Sequence, residues 1–245
     1  MIRSLKTLGP ALVTMLALAA VLTSAVSAAP KLTPVPEEYP VTVKGAQTVT
    51  NILELEGTRA TECETATIEG TINSKAAAEE SNVTVSPAYA NCTTTILGNK
   101  DPATYTMNGC TFKLTNTETA SGAIASEGWE STGKEVHLQC PAGSLMELHV
   151  FASKEKDEKN EPLCTYHIAP QTPGGDLDYK LTEKNPEGAG TSGDIKLTLT
   201  GVAITKTSGT LTNCGPEKQT AMLTGEIKYE NFNASGVLLR SKLED

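Results

Sequence analysis

Histidine and glutamate side chains alternate with apolar residues in two short stretches of the sequence, "EVHLQC" (135–140) and "LMELHVFA" (145–152). A third histidine follows in "CTYHIA" (164–169). Imidazole and carboxylate groups that converge on one point bind zinc or copper, and two histidines with one carboxylate form a known zinc ligand set. Metal binding is therefore the first chemistry that these residue types suggest.

The spacing predicts how these side chains would meet. If "PAG" forms a turn after "EVHLQC", the flanking strands pair with His137 opposite Glu147 on the polar face. A second hairpin in phase then puts Glu147 beside His167. Because adjacent strands lie about 4.8 Å apart, the sequence predicts a surface zinc or copper site of His137, Glu147 and His167, with Glu135 and His149 alongside. The alternative is that the Glu–His pairs are ordinary polar contacts between strands.

Catalytic motifs are missing from the sequence. There is no Gly-x-Ser-x-Gly stretch, and the two Ser-x-x-Lys patterns, "STGK" and "SKEK", lie in predicted loops without the companion motifs of that enzyme class. The sequence therefore predicts that the protein is not an enzyme and needs no cofactor. A carboxylate-based extracellular hydrolase is the less favoured alternative, because Asp and Glu are plentiful and only geometry identifies a catalytic pair.

The six cysteines form an even set in a chain that begins with an export signal, which favours three disulfides over free thiols. A zinc site is the alternative, but no two of the cysteines stand in a Cys-x-x-Cys arrangement and their spacings are wide. The predicted disulfide residues are Cys63, Cys92, Cys110, Cys140, Cys164 and Cys214.

A repeated pattern suggests how the cysteines pair. "CETATIEGTI" precedes "VTVSPAYANC", and "CTYHIAPQ" precedes "ITKTSGTLTNC", so each unit reads as Cys-strand, loop, strand-Asn-Cys. Six cysteines allow 15 connectivities, and Thr-rich strands that end on Asn can also be alike by chance. The economical pairing is Cys63 with Cys92, Cys164 with Cys214 and, between the units, Cys110 with Cys140.

The amino terminus has the layout of a secretory signal peptide. Two cations precede an apolar run and a stretch of small residues, which predicts cleavage after Ala28. The apolar run is shorter than the ~20 residues that a membrane span needs, and no later segment is apolar enough to span a membrane. We therefore expect a signal peptide at 1–28, a Pro-rich spacer at 29–40, and a soluble mature protein that is secreted or held at the cell envelope.

Charge limits the partners. The formal net charge is -9, and residues 1–28 carry two cations and no acid, so cleavage makes the chain more negative. Such a chain repels phosphate backbones and anionic lipid surfaces, which argues against nucleic acid and membrane partners. An extracellular or envelope protein is the partner class that remains.

Strand signals run through the whole chain. β-branched residues dominate the patterned segments, and Asn108-Gly109 is a strong two-residue hairpin signal because a type I′ turn needs positive φ at both positions. The sequence predicts an all-β protein of two related antiparallel sandwich-like halves. The predicted β domains are 41–130 and 131–245.

The order "TECETATIEGT", "AYANC", "MNGCTFKL", "VHLQCPAG", "CTYHI" and "GVAITKTSG" resembles a group of uncharacterised secreted, cysteine-containing β-rich proteins of actinobacteria. The resemblance covers most of the mature chain and implies export and a β-rich fold, without an activity. Residues and resemblance together predict a secreted or envelope-associated, non-enzymatic structural or binding protein whose ligand the sequence does not name.

Overall fold

The computed structural model describes residues 31–55, 59–74, 83–116, 124–125, 129–131, 134–152, 161–182 and 189–244. The predicted signal peptide, 1–28, lies outside them. Most of the described residues are in strands, which confirms the all-β class. None of them forms a helix of the length and hydropathy needed to cross a membrane.

Fifteen strands and one short helix make up the described part of the chain. They are β1 (Lys31–Val35), β2 (Val41–Leu55), β3 (Arg59–Ile72), β4 (Val83–Ile96), β5 (Asn99–Thr106), β6 (Thr111–Asn116), β7 (Ile124–Ala125), β8 (Trp129–Ser131), β9 (Lys134–Gln139), β10 (Met146–Val150), β11 (Cys164–Ile168), β12 (Gly174–Thr182), β13 (Ser192–Ser208), α1 (Leu211–Cys214), β14 (Lys218–Phe232) and β15 (Leu238–Glu244).

Eight of these strands form a closed antiparallel barrel. Hydrogen-bonded neighbours run in the order β14, β2, β3, β4, β5, β10, β11 and β13, and β13 pairs with β14 to close the ring. Closure leaves no free edge between the first and last strands of the sheet, which removes a site for aggregation.

At three places in the barrel a strand is interrupted and a second strand continues it in the same direction. We call each such pair, and each uninterrupted strand of the barrel, a strand line. β6 pairs with β4 beyond β5 and in the same direction, β9 pairs with β6 as β10 pairs with β5, and β12 pairs with β13 beyond β11. The interruptions lie at 107–110, 140–145 and 169–173. With these continuations counted, the eight strand lines follow one another in chain order, as in an up-and-down barrel.

The interruptions overturn two predicted hairpins. Asn108 and Gly109 do take positive φ, 50° and 78°, and Cys110 N donates to Met107 O at 2.7 Å. The strands on either side of this turn, however, pair with β4 and not with each other. Likewise β9 and β10 are consecutive along one line, so the predicted pairing across "PAG" is wrong.

The two sandwich-like halves are not confirmed. β2 pairs with β14 and β5 pairs with β10, so the barrel takes strands from both sides of the predicted boundary at residue 130. Residues 31–35, within the predicted Pro-rich spacer, form β1, which pairs with β15 beside the end of β14.

Three disulfides hold the barrel, and the predicted connectivity is confirmed. Cys63 and Cys92 oppose each other on β3 and β4 with a Cα–Cα distance of 3.9 Å. The second disulfide joins the interruptions at 107–110 and 140–145. The third joins the first residue of β11 to the last residue of α1. These disulfides are Cys63–Cys92, Cys110–Cys140 and Cys164–Cys214.

Strand alternation sends one set of side chains into the barrel and the other outward, because successive side chains of a strand point to opposite faces. On β10, Met146, Leu148 and Val150 are buried, while Glu147 and His149 between them are partly exposed. Two surfaces therefore qualify as sites: a polar outer face and an apolar interior.

Candidate functional site

The predicted metal ligands lie on the outer face, and the structure brings only some of them together. Glu147 opposes His167 in the register of β10 and β11, as predicted. Glu147 Oε1 lies 3.6 Å from Nε2 of His167, and its Oε2 lies 2.9 Å from Nε2 of His149. One carboxylate thus lies between two imidazoles.

His137 is not part of this group. It lies on β9 opposite Lys113 of β6, and its ring contacts Glu135 at 3.4 Å and Thr172 Oγ1 at 2.6 Å. The predicted convergence of His137 with Glu147 is therefore wrong, because β9 lies above β10 on the same line and not beside it. Among the described residues, no group of three or more His, Cys, Asp and Glu side chains is placed to hold a metal ion.

The barrel interior holds two adjoining cavities of about 30 and 50 Å³. The first lies between Leu53, Met146 and Leu223, and the second between Val136 and Ile195. Every one of the eight strand lines contributes lining residues to each cavity. The cavities are therefore internal to the barrel along its length, on both sides of the interruptions.

Asn51, Tyr89 and Phe112 border both cavities and form the layer between them. Asn51 is 6% exposed, which is unusual for an amide side chain. The remaining lining side chains are aliphatic, aromatic, Met, Pro or a disulfide-bonded Cys, together with the backbone of Gly225. None of the described residues that line the cavities has a charged side chain.

Alternation with Leu53 and Leu55 places the Asn51 side chain in this wall, at the end of a bulge in β2. The register of β2 against β3 shifts between Ala46 and Asn51. Val49 in this segment is 53% exposed, although regular alternation along β2 would place its side chain inside the barrel. A β-bulge redirects side chains in this way. Gly225 on the facing strand provides the room, because a Cβ there would overlap the Asn51 carboxamide.

Two tyrosines, together with Phe112, form the aromatic part of the first cavity. The rings of Tyr89 and Tyr105 lie 4.9 Å apart between centroids, with their planes at 45°. Burial raises the pKa of both hydroxyls above the usual value, and for Tyr105 the neighbouring Tyr89 adds to the rise while a hydrogen bond with Thr61 opposes it. Both side chains are neutral phenols at physiological pH, so the described lining residues of the site are uncharged.

The barrel end at α1 is closed by polar contacts to the backbone of that helix. Tyr166 Oη and Gln219 Nε2 both donate to Cys214 O at 3.0 Å, and Lys206 Nζ donates to Gly215 O at 2.9 Å. Burial raises the pKa of Tyr166 to about 12, and the charge of Arg59 partly opposes the rise.

Sequence reasoning missed the interior site. The sequence signals of this interior site are weak. They are Val49, which breaks the alternation of β2, Asn51 at an inward position, and Gly225 within the strand "TAMLTGEIKY". Compared with known proteins, the chain matches no family model, no curated protein and no solved structure. Its function is therefore argued from its own geometry.

Proposed function

We propose that the protein is an exported, non-enzymatic binding protein that encloses one small, uncharged, largely apolar molecule inside its barrel. The observation that carries the proposal is the pair of adjoining cavities encircled by all eight strand lines. Eight-stranded barrels are of a size that either fills with side chains or holds one small ligand.

The chemistry of the walls favours an organic occupant over water. A water needs about 10–15 Å³ and two to four polar partners. The cavities of about 30 and 50 Å³ have the room, but Asn51 and the tyrosine hydroxyls are the only polar side-chain groups among their lining residues. An apolar molecule would instead supply the dispersion contacts that an unfilled wall lacks.

The size of the cavities sets the size of the ligand. We propose that the ring of Phe112, which borders both cavities, moves aside when a ligand enters and so joins them into one space. The two cavities together are smaller than the roughly 150 Å³ of an apolar cavity that binds benzene, so a ligand of one ring requires the barrel wall to adjust and a large lipid is excluded. The absence of histidine and charged groups among the lining residues favours binding over acid–base catalysis.

Export is the other part of the proposal. Three disulfides are typical of proteins that fold in an oxidising compartment. Together with the signal-peptide layout of residues 1–28, they support a location outside the cytoplasm, free or at the cell envelope.

Titration with toluene, followed by amide NMR shifts, tests the binding. Burial of seven carbons at about 0.8 kcal/mol each sets the tightest binding to expect, a dissociation constant of about 0.1 mM, because enlarging the cavities to admit the ring weakens binding. Val202→Phe and Val85→Phe fill the first and second cavity respectively and are expected to abolish saturable binding. Val49→Phe adds the same volume outside the barrel and is the matched control. Absence of saturable shifts around the cavities, or equal binding by the filled variants, would refute the proposal.

A further inference from the structure

We infer that Asn51 selects the ligand, and that the barrel takes a neutral molecule carrying one hydrogen-bonding group rather than a hydrocarbon or an anion. This inference rests on the proposed function, because it concerns the same cavities. It adds the chemical class of the occupant and the residue that recognises it.

The orientation of the Asn51 amide follows from its neighbour. Gln47 Nε2 donates hydrogen bonds to the backbone carbonyls of Cys63 at 3.0 Å and Glu64 at 2.6 Å. The other polar atom of this side chain, Oε1, therefore faces Asn51 as a hydrogen-bond acceptor. Asn51 Nδ2 donates to that oxygen at 2.9 Å. Gln47 thus fixes which way the Asn51 carboxamide faces, and the site is preorganised before a ligand enters.

The Asn51 side chain retains unused hydrogen-bonding capacity. A carboxamide offers two N–H donors and a carbonyl with two lone pairs, and within the described part of the chain Asn51 uses one donor, toward Gln47. The amide lies at the layer shared by both cavities and is 6% exposed. A ligand with a complementary atom gains affinity by forming a hydrogen bond with this unused capacity.

The surroundings of Asn51 restrict the charge of that ligand. The lining residues that the structure describes include no charged side chain, and Tyr89 and Tyr105 are held neutral by burial. An ionised ligand would lose its hydration without gaining a counter-ion, which is strongly unfavourable. The matching class is a small neutral alcohol, phenol or ketone.

Toluene, phenol and benzoate test the inference, because they share one ring and differ in the polar group. For the wild type we expect toluene and phenol to bind and benzoate not to bind. In Asn51→Leu, the ratio of phenol to toluene affinity is expected to fall about tenfold, the size of one net hydrogen bond. Asn99→Leu removes an exposed amide at the start of β5 and is the matched control.

A measurement on the wild type alone keeps the test decisive if Asn51→Leu fails to fold. Phenol is expected to shift the side-chain NH2 resonances of Asn51, and toluene to leave them nearly unchanged. Toluene binding with an unaltered affinity ratio, or phenol binding without a shift of these resonances, overturns the inference and leaves the proposed function standing. Failure of toluene to bind the wild type removes the proposed function itself.

Discussion

At the scale of single residues, the alternation of apolar and polar residues predicted correctly which face of a strand a side chain lies on. It predicted less well which side chains lie beside each other. The outward positions of Glu147 and His149 and the burial of Leu148 between them follow from period-two patterning, and the contact of Glu147 with His167 was predicted. The position of His137 was not predicted, because it depends on whether the chain reverses or continues in the same direction between β9 and β10. A loop of six residues, 140–145, carries no signal that tells a reversal from an interruption.

The buried tyrosines give the protein a predicted sensitivity to alkali. The pKa of Tyr166 rises from its ordinary value of 10.0 to about 12, and the pKa values of Tyr89 and Tyr105 are also raised by burial. Below pH 10 each group is protonated in both folded and unfolded chains, so none contributes a pH dependence. Above pH 10 the unfolded chain loses these protons first. The free energy of unfolding therefore falls, by about 1.4 kcal/mol per pH unit for each tyrosine.

Tyr166→Phe isolates one of these contributions. At pH 8 we expect it to lower the free energy of unfolding by about 1 kcal/mol, because the hydrogen bond to Cys214 O is lost. Between pH 10 and 12 its stability should fall less steeply than that of the wild type, by about 1.4 kcal/mol per unit. Denaturant unfolding at pH 8, 10 and 11 measures both effects. Parallel pH curves for the two proteins would contradict the assignment.

At the scale of elements, the interrupted strands are the part of the fold that could not be predicted from the sequence. Asn108-Gly109 adopts the positive φ values of a hairpin turn, yet β5 and β6 both continue along β4. Local turn chemistry fixed the backbone angles, and pairing with the long strand β4 decided where the chain went next. Strand pairing is a tertiary effect, so reading one segment at a time does not reveal it.

Gln171 joins neighbouring lines where β11 gives way to β12. Its backbone exchanges hydrogen bonds with Leu138, at 2.8 and 3.1 Å, and its side chain exchanges two with the backbone of Ala203, at 2.7 and 2.9 Å. One residue thus connects β9 to β13 across an interruption that lacks regular pairing.

Gln171→Ala is expected to cost about 1–2 kcal/mol of unfolding free energy, because two side-chain hydrogen bonds to the backbone are lost. The amide proton of Ala203, whose acceptor is Gln171 Oε1, should exchange faster with solvent. Gln139→Ala, at an exposed position of β9, is the matched control and should change stability by less than about 0.5 kcal/mol. Equal stability of the two variants in denaturant unfolding would show that the Gln171 contacts do not hold the interruption together.

At the scale of the whole molecule, class and covalent pairing were predictable and closure was not. The repeated Cys-strand-Asn-Cys pattern led to the correct disulfides. The same pattern suggested two separate halves, whereas β2 pairs with β14, about 170 residues further along the chain. The cavities and the role of Asn51 exist only once this ring is closed, which is why local patterns indicated them only weakly.

Reduction of the disulfides tests how far this closure depends on covalent links. The cysteine pairs are separated by 29, 30 and 50 residues, and the chain-entropy model gives about 3–4 kcal/mol for each loop. Together they are comparable to the whole stability of a typical domain, about 5–15 kcal/mol.

We therefore expect complete reduction to unfold the protein and to end toluene binding. Each double alanine variant that lacks one disulfide should stay folded with a lower denaturant midpoint. Removal of Cys164–Cys214 should cost the most, because it closes the longest loop and fixes α1 over the barrel end. Far-ultraviolet circular dichroism with the toluene titration measures both properties. A fully reduced chain that unfolds cooperatively and still binds toluene would show that the strand ladder alone closes the barrel.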